Sequence, residues 1–65
     1  MRINKDKLQF AMAEKNISSQ KALAIKAGLS ANTVSTLARG AETKILSLCK
    51  IAAALNVEPK DLIED

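Results

Sequence analysis

The sequence predicts an all-α domain of five short helices, and three observations carry that prediction. Apolar residues recur at i, i+3 and i+4 along the whole chain, and no stretch alternates apolar and polar as a half-buried strand would. The two glycines and the single proline fall only where helices must break. No linker, internal repeat or low-complexity segment interrupts the pattern.

The first helix is expected over Lys5–Lys15. Asn4 is a good N-cap, Asp6 suits the positive helix start, and Ile3 and Leu8 stand at the positions of a hydrophobic staple. Leu8, Ala11 and Met12 share its inward face. The second helix starts at Ser18 or Ser19 and runs to Ala27, with Leu23, Ala24 and Ala27 on one face. Gly28 follows as a residue that takes the left-handed conformation at no steric cost. Leu29 turns inward and Ser30 caps a third helix, Ala31–Arg39. Val34, Leu37 and Ala38 form its buried stripe, Asn32, Ser35, Thr36 and Arg39 fall opposite, and Gly40 ends it. The fourth helix is expected over Lys44–Leu55 behind a Thr43 cap, with Ile45, Leu48, Cys49, Ala52 and Leu55 as its stripe and Asn56 as its left-handed stop. The fifth, Pro59–Glu64, opens on Pro at its first position, and Val57 and Leu62 stand at staple spacing.

With 65 residues, the chain is expected to be one domain, residues 1–65. A chain this short buries only about 60% of the surface its unfolded form exposes. Staples are missing: Cys49 has no disulfide partner, and without His there is nothing to build a metal site with it. Cys49 reads as a small core residue. Neither a cofactor nor a small-molecule ligand is expected. Met1–Lys7 is too polar for a signal peptide and no apolar run reaches membrane-span length, so the expectation is a cytoplasmic protein with no membrane contact. Enzymatic activity is not expected: His, a Gly-rich phosphate loop and paired acids facing a pocket are all missing.

Net charge is +3, and its distribution is uneven. From Lys15 to Ala41 there is no acid, while Lys15, Lys21, Lys26 and Arg39 give +4. Glu58–Asp65 carries four acids against Lys60, and Asp61, Glu64 and Asp65 read as a solvated helix end and tail. A polyanion would be drawn to the middle of the chain. The near absence of aromatics argues against stacking on single strands.

The informative unit is Ser19–Gly40. Gly28-Leu29-Ser30 is too short to let its two helices lie antiparallel, so they cross steeply and offer the second to a partner. That second helix has short, uncharged hydrogen-bonding residues outside, where a purely structural helix more often carries Glu, Lys, Gln or Arg. The major groove of DNA is about 12 Å wide and admits one such helix. Asn32 can bond an adenine edge, Ser35 and Thr36 can donate or accept, and Ala31 or a Thr methyl can touch a thymine methyl. Ser19 and Gln20 at a helix start can meet a phosphate, and Arg39 and Lys44 lie where they reach neighbouring ones.

These residues resemble the Cro/CI-type helix-turn-helix family, also called the XRE family. The matching residues are Gln20-x-x-Leu23-Ala24-x-x-x-Gly28-Leu29-Ser30, then Val34-x-x-Leu37-x-Arg39-Gly40. Leu48-Cys49-Lys50-Ile51-Ala52-x-x-Leu55-Asn56-Val57 is similar to the family's fourth helix, and Asp61-Leu62-Ile63 to its last turn. The resemblance spans Ile3 to Ile63. It implies a compact five-helix, lambda-repressor-like domain with the helix-turn-helix at helices two and three. It also implies a homodimer on a near-palindromic double-stranded operator, with Ala31, Asn32, Thr33 and Thr36 as base readers, Ser35 close by, and Gln20 as a phosphate contact. Repression by occupancy is the simplest mechanism. Three departures stand out. Ile17 lies one residue further from Gln20 than the family's apolar residue, Ala22 replaces the acid of a capping box, and Ile25 and Leu46 occupy commonly charged positions. The alternative is an antitoxin-like or other protein-binding module acting through an apolar patch of Ile25, Leu46 and Ile63. Salt dependence of duplex binding separates the two.

Overall fold

The computed structural model describes residues 1–63. The helices form where caps and stops put them. α1 is Lys5–Glu14, α2 Gln20–Ala27, α3 Ala31–Ala38 and α4 Ile45–Leu55, followed by a 3-10 turn at Pro59–Asp61. Asn4 Oδ1 accepts the Lys7 N–H at 3.0 Å to start α1. Ser19, rather than Ser18, caps α2, its Oγ accepting the Ala22 N–H at 3.1 Å. Ser30 Oγ accepts the Thr33 N–H at 3.1 Å to start α3.

Three helices stop in the same way. Asn16, Gly28 and Asn56 all have left-handed backbones, with φ of 57°, 74° and 56°. Behind each, the next N–H turns back onto the helix: Ile17 to the Met12 carbonyl at 2.9 Å, Leu29 to Ala24 at 2.9 Å and Val57 to Ala52 at 3.0 Å. Each stop also turns one apolar residue inward, since Ile17, Leu29 and Val57 all rest against the core.

That core is aliphatic. Ile3, Leu8, Leu23, Val34, Leu48, Ile51, Leu55 and Leu62 are its largest fully buried side chains. Each contributes about 1.5–3 kcal/mol by leaving water. α2 sits between α3 and α4, and the 3-10 turn rests on α4. No helix among the described residues is long and apolar enough to cross a membrane.

The two ends of the described chain are stitched together. Ile3 pairs with Ile63 and Arg2 with Glu42 in isolated antiparallel bridges. The Asn4 N–H donates to the Leu62 carbonyl at 2.7 Å, and the Thr43 N–H to the Met1 carbonyl at 2.8 Å. The Met1 ammonium donates to the Glu42 carboxylate, and Arg2 Nε lies 3.8 Å from its other oxygen. That hydrogen bond and the ammonium charge hold the Glu42 pKa below the usual carboxylate value.

Four expectations need correction. The fifth helix is only a 3-10 turn, leaving four α-helices, because Leu62 is buried and its carbonyl is taken by Asn4. Its expected end at Glu64 and the acidic tail of Glu64 and Asp65 lie outside the described residues. Thr43 does not cap α4. It is buried, its N–H donates to Met1 and its hydroxyl donates to the Lys44 carbonyl at 3.4 Å, and Lys44 takes the N-cap position without a side-chain cap. Cys49 is exposed, not core, and Ile45 is 56% exposed. The buried face of α4 turns instead towards Ile51 and Ala54.

The Gly28 stop is testable. An added Cβ would meet nothing within 4 Å, so Gly28→Ala carries only the left-handed backbone cost. That cost is about 1 kcal/mol or somewhat more, equivalent to a fall of about 4–8 °C in melting temperature for a domain this size. An unchanged melting curve would mean that this backbone is free to relax out of the left-handed region.

Candidate nucleic-acid interface

The joint between α2 and α3 follows from the turn just described. Gly28 ends one helix, Leu29 is anchored on the core, and Ser30 begins the next, so both helices are fixed within three residues. α3 is then held from behind. Val34 is fully buried, and Leu37 and Ala38 nearly so, against a core that includes Leu23 and Ala24 of α2.

The opposite side of α3 faces solvent. Ala31, Asn32 and Arg39 are exposed, and Thr33, Ser35 and Thr36 are half-buried. Within the described residues, the side chains of Asn32, Ser35 and Thr36 make no hydrogen bond to the protein. Their donors and acceptors are therefore open to a ligand. Thr33 differs from them. Its hydroxyl lies 2.7 Å from Ser30 Oγ, so it helps hold the cap that starts the helix. At 8 residues, α3 is about 12 Å long, and the helix diameter of about 10–12 Å with side chains fits the width of a major groove.

Around this face lie the residues suited to phosphates. Gln20 and Lys21 are exposed at the start of α2, where the first N–H groups lack helical partners. Ser19 Oγ accepts from Ala22, which leaves its O–H to donate. A cleft of about 320 Å³ opens beside this helix start, with Lys5 and Gln9 of α1 and Ser18 on its walls. Sequence reasoning missed those three. Lys5 and Gln9 sit a full helix away in sequence, and only the packing of α1 brings them to the α2 N-terminus.

Arg39 closes α3 and Lys44 opens α4, and both are exposed. Glu42 lies between them in sequence and would repel a phosphate. Its carboxylate is instead engaged by the Met1 ammonium and Arg2. Among the described residues, Lys15, Lys21, Lys26, Arg39 and Lys44 form no ion pair. These cations are therefore not neutralised by ion pairs among the described residues.

The cap of α3 sets how firmly its first turn is presented. Ser30→Ala removes the acceptor for the Thr33 N–H and the partner of the Thr33 hydroxyl, and should lower stability by about 1 kcal/mol. Thr33→Val leaves the Ser30 cap in place and should cost less. Urea unfolding of both variants checks this, and equal losses would contradict the assigned division of roles.

A sequence model of the family described as the Cro/C1-type HTH DNA-binding domain matches residues 7–65. No curated protein and no solved structure matches the chain.

Proposed function

This chain belongs to the Cro/C1-type HTH DNA-binding domain family, and from that premise we propose that it is a sequence-specific transcriptional regulator, most simply a repressor. The observation that carries this reading is the face of α3. Asn32, Ser35 and Thr36 present polar groups with no side-chain hydrogen bond among the described residues, while Val34 and Leu37 seat the helix from behind. A helix built only for solubility gains nothing from such a face.

In the proposed mechanism α3 enters the major groove. Asn32 makes a bidentate bond to an adenine edge, Ser35 and Thr36 bond neighbouring base edges, and Ala31 and the Thr33 methyl touch thymine methyls. Ser19 and Gln20 hold one phosphate at the start of α2, and Arg39 and Lys44 hold others beyond α3. A homodimer would set two α3 helices about 34 Å apart on a near-palindromic operator. The bound protein would then exclude polymerase by occupancy. Its exposed Cys49 thiol suits a reducing cytoplasm.

The competing reading, a protein-binding module, draws on Ile25 and Leu46, which are 74% and 66% exposed. Its third residue gives less support. Ile63 is half-buried against the core and bridged to Ile3.

Two substitutions separate base reading from phosphate contact. Asn32→Ala should weaken binding to the preferred duplex by about 1–3 kcal/mol and relax selectivity at one base pair. Equal loss on all duplexes would remove Asn32 from the readers. Lys44→Ala should weaken specific and random duplexes alike and reduce the salt slope by about one unit. A changed sequence preference in that variant would contradict its role. Selection of bound fragments from random duplexes tests the whole proposal, and recovery of no consensus at moderate salt would sink it.

A further inference from the structure

Phe10 is the only aromatic residue of the chain, and it is 68% exposed while the core is wholly aliphatic. Burying a phenylalanine is worth about 1.5–3 kcal/mol, a gain that this small core forgoes. The ring does not stand alone. It lines a groove of about 370 Å³ between α1 and the C-terminal turn, with Ala11 and Val57 as apolar neighbours. Asp6, Glu14 and Asp61 line the same groove, and among the described residues none of the three is in an ion pair. Among the described residues Lys7 is the one cation on its walls, and its ammonium donates to the Ile63 carbonyl at 3.1 Å. No residue of α2 or α3 contributes to the lining.

The charge selects the occupant. Three carboxylates around an apolar groove repel phosphates and anionic lipid headgroups. They also oppose a second copy of this chain. Two α1 helices packed antiparallel about Phe10 would set Asp6 of one copy against Glu14 of the other, twice over. A basic segment meets no such obstacle, and a cation over the Phe10 face gains further attraction.

We propose that this groove docks a basic amphipathic helix of another protein. One large apolar side chain of that helix sits beside Phe10, and its lysines or arginines lie against Asp6, Glu14 and Asp61. Buried aromatic anchors ringed by polar contacts dominate the energetics of such interfaces. The groove is built from elements other than the reading helix, so the protein can hold a partner and a duplex at once. The inference does not depend on the DNA-binding reading.

The test uses the full isotope-labelled chain and two helical probes, a lysine–leucine peptide carrying one tryptophan and its glutamate–leucine counterpart. The basic peptide should shift the amides of Asp6–Glu14 and Val57–Leu62, and the acidic peptide should shift none. Phe10→Ser should weaken peptide binding about tenfold or more and leave duplex binding and the melting curve intact. Asp6→Asn combined with Glu14→Gln should also weaken it, and added salt should weaken the wild-type complex. Shifts confined to α2 and α3, no shifts, or undiminished binding by Phe10→Ser would overturn the proposal. Concentration-dependent shifts around Phe10 without peptide would overturn it in favour of self-association.

Discussion

Everything in this molecule depends on seating one short helix by three side chains. Val34, Leu37 and Ala38 are what α3 buries, and Leu23 and Ala24 of α2 belong to the same core. A core of this size supplies only about 3–5 kcal/mol of net stability. Truncating a buried leucine to alanine costs about 2–5 kcal/mol, so losing one anchor amounts to losing the fold. The exposed positions Ala31, Asn32 and Arg39 are under no such constraint, because exposed positions usually change stability by less than about 0.5 kcal/mol. Those three positions can therefore vary without the loss of the fold that a change at Val34 or Leu37 brings.

The rest of the architecture keeps that helix in place with few residues. Left-handed stops at Asn16, Gly28 and Asn56 end three helices abruptly and drop an apolar residue onto the core each time. The connections stay short, and little chain entropy is left in the loops. Electrostatics is arranged with the same economy. The acid between Arg39 and Lys44 in sequence is Glu42, and the N-terminal ammonium and Arg2 engage it.

Most of this was legible in the sequence. The helix-turn-helix from Ser19 to Gly40 could be placed because Gly28, Ser30 and the Val34–Leu37 spacing are strong local signals. What failed was set by contacts distant in sequence. Thr43 looked like a cap, but the N-terminal segment claims its N–H. Cys49 looked like core by residue type, but the buried face of α4 is turned towards Ile51 and Ala54 by the elements packed on it. The last helix was overextended because the pairing of Leu62 and Ile63 with residues 3 and 4 cannot be seen locally. Asn16 was not assigned as a left-handed stop, although the same residue type was assigned as one at Asn56. In the candidate interface, helical periodicity put Asn32, Ser35, Thr36 and Arg39 on one face of α3, whereas Lys5 and Gln9 reach the start of α2 only through tertiary packing.

The stitching of residues 3 and 4 to residues 62 and 63 has a geometric consequence of its own. Residues 3 and 63, near the two ends of the described segment, lie side by side. Such a unit can be spliced into a surface loop of an unrelated host, or strung in tandem, without prising its helices apart. Evolution and protein engineers alike can treat it as a cassette.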